Sequence, residues 1–309
     1  MSDLTLNTKP ARRLTRKSVT DNLFAWALVL PAILFLAVFT FYPLVNLIQL
    51  SLYRGNITNP YKTFRGIENY IDILVKRPQF MTTLKNTALY VVMYVPICLS
   101  LSLIFSVWLQ KARKMNNFAQ TCFFAPHLVA TISSAFMWSW IFSPESSGIA
   151  NGIIRLFGFN THNWLGSSAT AMVCVMIMNT WASIGHHALI FLSALKSIPG
   201  EVYEAAELDS SSSIKTFFKI TLPMLSPQIF LMLITMTTNS FKIFESVRQM
   251  TGGGPGISTK TVCMFIYDNA FETNNTLGLA GAASIVLTII LMLITLLDFK
   301  GLEKKVHYQ

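Results

Sequence analysis

The chain is 309 residues long, 52% of them hydrophobic and only 12% charged, with 24 Lys and Arg against 14 Asp and Glu for a net charge of +10. A soluble domain of this length carries roughly twice that charged fraction, so the composition excludes an ordinary soluble protein and points to a polytopic membrane protein. The basic residues cluster beside apolar runs, the pattern of topology signals, and no basic and aromatic patch suited to nucleic acid is found.

Residues 1–23 hold Lys9, Arg12, Arg13, Arg16 and Lys17 and read as a cytoplasmic basic tail drawn to anionic lipid headgroups. The apolar run from about Phe24 to Leu50 is too long for a signal-peptide core and predicts a first span, kinked at Pro31 and Pro43. Residues 51–84 are mixed in polarity and predict an outer cap. A second span is expected over about Ala88 to Leu109, closed by Lys111, Arg113 and Lys114. A third runs over about Phe118 to Phe142, kinked at Pro126, with Trp138 and Trp140 near the outer interface. The fourth covers about Ala169 to Leu195 and is interrupted by Asn179, Trp181, Ser183, Gly185, His186 and His187. After a polar loop over 198–227, the fifth covers about Gln228 to Val247. An outer loop opening with Thr251-Gly252-Gly253-Gly254-Pro255 leads to the sixth, about Leu277 to Leu297, whose Gly278, Ala280, Gly281, Ala282, Ala283 and Ser284 permit close helix approach. The expected fold is all-α and polytopic, with about six transmembrane helices in a membrane domain over 24–299 and a C-terminal tail over 300–309. Segments assigned to the cytoplasm carry 14 Lys and Arg against 9 outside, which predicts cytoplasmic termini and a cytoplasmic 198–227 loop.

That loop is polar and charged between two apolar segments, so it lies outside the bilayer. Pro199 suits a first helical turn, and Glu201, Glu204 and Glu207 load the start of the helix with negative charge. Val202, Ala205, Ala206 and Asp209 share a face with little bulk. One serine of the following run is expected to cap a second helix, in which Ile214, Phe217, Phe218 and Thr221 form an apolar stripe that Pro223 and Pro227 end.

Glu204-Ala205-Ala206, Asp209, Phe217, Ile220, Leu222-Pro223 and Pro227 resemble the EAA signature of membrane subunits of bacterial ABC importers, the loop that docks into the cleft of a cytoplasmic ATPase. The family usually places Gly after the aspartate, where Ser210 stands here. Leu30-Pro31, Tyr42-Pro43, Gly66-Ile67-Glu68-Asn69-Tyr70, Asn86-Thr87, Phe241, Phe244, the Thr251–Pro255 run, Thr259, Tyr267, Ala270-Phe271 and Gly278 extend the likeness to carbohydrate-importer permeases of the maltose and glycerol-phosphate type. The resemblance implies a sugar-importing permease subunit in a bacterial cytoplasmic membrane. It also implies as partners a second permease in a heterodimer, two ABC ATPase subunits, an extracytoplasmic sugar-binding protein and the sugar itself. Glu204, Ala205, Ala206, Asp209, Phe217, Leu222 and Pro223 would carry the ATPase coupling. Alternatives are an ABC permease for a non-sugar solute such as a polyol phosphate, and an ion-coupled secondary carrier, for which Glu245 alone is thin support.

No nucleophile-and-base set or Walker-type phosphate loop can be assembled, so the chain reads as no enzyme and implies no cofactor. Gly252 to Gly254 read as a loop turn. Adjacent His186 and His187 point about 100° apart on a helix with no third ligand placed, so no metal site is read there. Cys98, Cys122, Cys174 and Cys263 lack paired spacing and read as small buried hydrophobes. Polar groups within spans face a bundle interior or a water-filled path. Met236, Asn239, Ser240 and Ile243 fall on one face of the fifth span, where Lys242 and Glu245 are spaced to pair. Sugars are held by amide and hydroxyl hydrogen bonds with apolar or aromatic platforms. Asn179, Trp181, Asn239, Ser240 and Ile243 are the expected substrate contacts by this reasoning and by the resemblance, with plain helix-to-helix hydrogen bonding as the alternative.

Overall fold

The computed structural model describes residues 16–110, 116–145, 148–209 and 211–302. Lys9, Arg12, Arg13, Lys111, Arg113, Lys114, Lys304, Lys305 and Ser210 lie outside the described residues. The chain divides into two units, Met1–Gln49 and Leu50–Gln309. The first holds α1 (Arg16–Leu36), a π-helical turn (Ala37–Phe41) and most of α2 (Tyr42–Ser51). Helix begins ahead of the expected Phe24, and Phe24–Ser51 is long and apolar enough to cross a membrane. Pro43 has no N–H to offer the Phe39 carbonyl. The wider π turn accommodates this, with the Tyr42 N–H reaching back to the Ala37 carbonyl, so the helix continues.

The second unit opens with a two-stranded hairpin, β1 (Tyr53–Arg54) against β2 (Thr63–Phe64), then α3 (Glu68–Ile71) and a π turn over Asp72–Lys76. There follow α4 (Pro78–Gln110), α5 (Asn116–Leu128), α6 (Thr131–Ile141), α7 (Ile149–Leu156) and α8 (Ala171–Lys196). Next come α9 (Gly200–Leu208), α10 (Ser213–Thr216), a π turn over Phe217–Thr221, α11 (Leu222–Met224) and α12 (Ser226–Phe241). The chain closes with α13 (Glu245–Met250), α14 (Val262–Tyr267), a π turn over Asp268–Glu272 and α15 (Leu277–Leu302). Among the described residues four helical segments are single-span candidates, and two bent pairs bring the total to six.

The bent pairs depart from the sequence expectation. The third span is not kinked at Pro126: α5 and α6 meet at 98°. The break falls at Ala130, whose φ −55°, ψ 135° is extended backbone. The fifth span does not run on to Val247. α12 stops at Phe241, and the carbonyls its end releases are used: the Thr261 hydroxyl donates to Ile243 O at 2.9 Å and the Cys263 thiol to Phe241 O at 3.8 Å. Of the two tryptophans expected near the outer interface, Trp138 sits edge-on to Trp181 with ring centroids 5.7 Å apart and its indole nitrogen buried, whereas Trp140 is exposed.

Lipid tails are as apolar as leucine, so helices in a bilayer are held by close packing and by satisfied polar groups. α4 is the hub, packed against α8, α12 and α14, with Phe80, Tyr90, Val91 and Cys98 buried along it. α8 lies so close to α5 that a Cβ on Gly185 would sit 1.8 Å from Phe123 O.

The end of the unit near residues 51–84 and 248–276 is stitched by side-chain amides. Gly66, at φ +56°, turns the chain into α3. There the Asn69 amide donates to Ser51 O (2.8 Å) and Tyr53 O (2.9 Å), and Tyr70 bonds the Ser51 hydroxyl at 2.6 Å. Gly278 lets α15 approach Tyr53 O, which would lie 1.8 Å from a Cβ at that position. Asn86 donates to Ile257 O (2.8 Å) and Lys260 O (3.1 Å), and Thr87 Oγ1 accepts from the Val262 N–H, fastening the glycine loop to α4. Gly252, Gly253 and Gly256 have positive φ, and Thr259 donates to Gly254 O, so the Thr251–Pro255 run is a built turn. Ion pairs add to this end: Asp72 with Arg65 (3.0 Å) and Lys76 (2.9 Å), Asp268 with Lys260 (2.5 Å) and Arg248 (3.4 Å), and Glu272 with Arg248. The Lys76 ammonium, with Arg65 beside it, holds the Asp72 carboxyl below its usual range, and Arg248 does the same for Glu272.

Candidate functional site

A cavity of about 580 Å³ lies where α4, α5, α8 and α12 meet. α4 contributes Tyr90 and Tyr94, one turn apart and stacked at 5.2 Å; α5 contributes His127, and the first residue of α6 adds Thr131. α8 supplies Asn179, Ser183, His186 and His187, while α12 supplies Met236, Asn239 and Ser240. The non-helical turn after α12 and the start of α13 complete the wall with Lys242, Ile243, Phe244, Glu245 and Ser246.

Four of the five expected substrate contacts, Asn179, Asn239, Ser240 and Ile243, are therefore brought together. The one-face grouping of Met236, Asn239, Ser240 and Ile243 holds, although Ile243 follows the helix end. Trp181 is not brought in. Two residues from Asn179 is about 200° around a helix, so the indole faces a separate apolar cavity of about 520 Å³ with Phe105, Phe123, Pro126 and Met176. Residues four, seven and eight beyond Asn179 share its face, and that spacing was the signal for Ser183, His186 and His187 as cavity residues. Nothing local marked His127, which the fold stacks on His186 with ring centroids 4.2 Å apart and planes 9° from parallel.

The hydrogen bonds show what each polar group has to spare. Asn179 Nδ2 donates to Val175 O (2.8 Å) and Ser246 Oγ (3.0 Å), which ties α8 to α13, while the Ser240 hydroxyl donates to Met236 O at 2.6 Å. Part of each residue is thus committed to the helices, as the helix-to-helix alternative requires. Asn239 is exposed to the cavity and its side-chain amide has no partner among the described residues, leaving donor and acceptor for a ligand. Lys242 and Glu245 do not form the expected ion pair: the helix ends between Ser240 and Lys242, which removes the i, i+3 geometry.

At the other end of α8, the 198–227 loop folds as a helix, a turn and a helical return. Pro199 is the residue before α9 rather than in its first turn. Ala206 is buried and the Tyr203 hydroxyl lies 3.3 Å from Thr221 Oγ1, so α9 is latched onto the returning strand of helix. Glu204, Ala205, Glu207 and Asp209 are exposed. Ser212 caps α10, its Oγ accepting from the Lys215 N–H at 3.3 Å. The expected apolar stripe splits. Phe217 and Leu222 pack against the core and Thr221 is buried, while Ile214 and Phe218 are 73% and 61% exposed, because the π turn re-aims the chain. Leu208 is 89% exposed. Pro223 and Pro227 do not end the helix either. Each takes the second position of the helix it enters, where a missing N–H costs nothing, and α10–α11 meet α12 at 67°.

Comparison with known proteins agrees with this architecture. A family model described as "Binding-protein-dependent transport system inner membrane component" matches residues 87–307. The chain is 32% identical over 284 residues to the "Probable ABC transporter permease protein YurN" of Bacillus subtilis (strain 168), covering 91% of this chain and 96% of that protein. It is 30% identical over 293 residues to the "Arabinooligosaccharides transport system permease protein AraP" of Halalkalibacterium halodurans, covering 94% and 91%. The crystal structure of a bacterial ABC transporter involved in the import of the acidic polysaccharide alginate shares the fold, with a TM-score of 0.82 over 93% of this chain and 98% of that one at 19% identity. With most of its length inside one family model and full-length relatives at this identity, the chain belongs to the family of inner-membrane permease components of binding-protein-dependent transport systems.

Proposed function

We propose that this chain forms half of the translocation path of an ATP-driven sugar or oligosaccharide importer. The observation that carries the reading is the cavity at the meeting of α4, α8 and α12, which offers an open amide at Asn239, the Ser183 hydroxyl and the half-buried ring of Phe244, in a wall that includes the buried Tyr90 and Tyr94. Hydrogen-bonding groups beside aromatic faces are what a saccharide needs. The printed names of relatives such as the arabinooligosaccharide permease support the same substrate class.

The loop at 198–227 supplies the drive. Leu208, Ile214 and Phe218 stand exposed beside Glu204, Glu207 and Asp209, an apolar and acidic surface for the cleft of a cytoplasmic ATPase. The latch between Tyr203 and Thr221 passes a push on α9 to the segment leading into α12, and α12 walls the cavity. A second permease completes the path, and an extracytoplasmic binding protein delivers the sugar. Both termini and the loop lie on the cytoplasmic side, by the excess of Lys and Arg in those segments. Purification in mild detergent from the native membrane, with mass spectrometry of what accompanies the chain, is the test. A P-loop ATPase and a second permease are expected. Isolation of this chain alone, from an extract in which other ABC complexes survive, would overturn the reading.

A further inference from the structure

The cavity holds more charge chemistry than a neutral sugar requires. Lys242 and Glu245 both line it and are not paired with each other, so an ammonium is left open to a ligand. The same cavity is lined by the stacked imidazoles of His127 and His186, with His187 at 5.4 Å from His186. Among the described residues no three His, Cys, Asp or Glu side chains are grouped to hold a metal ion, so these rings are not explained as ligands. Nor do they belong to the packing core. They form part of the cavity wall.

Resting on the sugar reading above, we propose that the cavity takes a saccharide bearing a carboxylate, with its anionic group on the wall formed by Lys242 and the His127–His186 stack. The stacked imidazoles present ring N–H groups that donate to a carboxylate oxygen, and the Lys242 ammonium adds a charge-assisted bond that a neutral sugar cannot match. Of the other groups around them, Tyr90 and Tyr94 of α4 are buried phenols, and Cys98 of α4 lies 3.6 Å from His187. Glu245 is a carboxylate lining the same cavity, and Cys263 lies near Lys242. A neutral sugar needs only the amides, hydroxyls and ring faces.

The test uses the complete transporter, this chain with its co-purifying subunits and binding protein, in proteoliposomes. The probes are uronate-containing oligosaccharides, each beside its carboxyl-reduced neutral counterpart. A uronate member is expected to enter about ten-fold faster than its counterpart. Lys242→Gln should lower that uptake about ten-fold, and His186→Gln should lower it about three-fold. His127→Gln on the other helix should repeat the smaller loss, and co-purification of the partner subunits identifies any variant that has lost its fold. Equal or faster entry of the neutral counterpart overturns the proposal, as does a Lys242→Gln, His186→Gln double variant that carries the uronate like its parent. If an assembled complex carries no member of either kind, the sugar reading itself falls and takes this proposal with it.

Discussion

The two ends of the second unit are built on opposite principles. The end bearing residues 51–84 and 248–276 closes on itself. Asn69 and Asn86 each donate two hydrogen bonds to backbone carbonyls, Asp72 and Asp268 sit between cations, and Gly278 lets backbone meet backbone. The end bearing 198–227 leaves Leu208, Ile214 and Phe218 in the open. One end is complete within this chain, and the other, on the function proposed above, is half of a contact. Substitutions at the first should therefore cost stability, and substitutions at the second should cost transport while the fold survives.

The largest expected effect is at the open end. Glu204→Lys together with Asp209→Lys should abolish sugar uptake and ATPase co-purification with the melting temperature in detergent unchanged; uptake at parental rates would break the contrast. Next is Gly278→Val, where the new Cβ meets Tyr53 O at 1.8 Å. A shift that α15 cannot absorb should cost several kcal/mol, about 3 or more, and be read as loss of folded protein on size exclusion. Gly200→Ala, with nothing within 4 Å of the added Cβ, is its control. Asn69→Ala strips partners from two carbonyls and should cost about 1–3 kcal/mol in thermal unfolding, with assembly intact. The smallest effect sharpens the comparison by pH. Asp72 has its folded pKa depressed, so its contribution is present above the unfolded value of about 3.9 and is lost as pH falls through the lower folded one. Melting temperature should be flat in pH near neutrality for this group, and Asp72→Asn should cost less than about 1 kcal/mol there.

Much of this was legible in the chain because it is written in local spacing. Six apolar segments, the acidic start of α9, the Ser212 cap and the glycine turn all depend on neighbours a few residues apart. What escaped depends on distance. The break at Ala130 carries no proline or glycine of its own, and the end of α12 at Phe241 is made possible by hydroxyl and thiol groups some twenty residues later. His127 and His186 meet only because α5 folds against α8 at Gly185. Trp181 departs from the expected group for a different reason: two residues from Asn179 is about 200° around the helix, which puts it at the second cavity whatever its residue type.

The 67° bend between α10–α11 and α12 has a mechanical meaning. α12 has 16 residues, so it is a rod of about 24 Å with the bend at one end and Asn239 and Ser240 at the other. A tilt of about 10° at the bend displaces the far end by about 4 Å, more than the length of a hydrogen bond. The joint is thus a lever, on which a rotation too small to disturb helical hydrogen bonding at the fulcrum is enough to withdraw the Asn239 amide from whatever it holds.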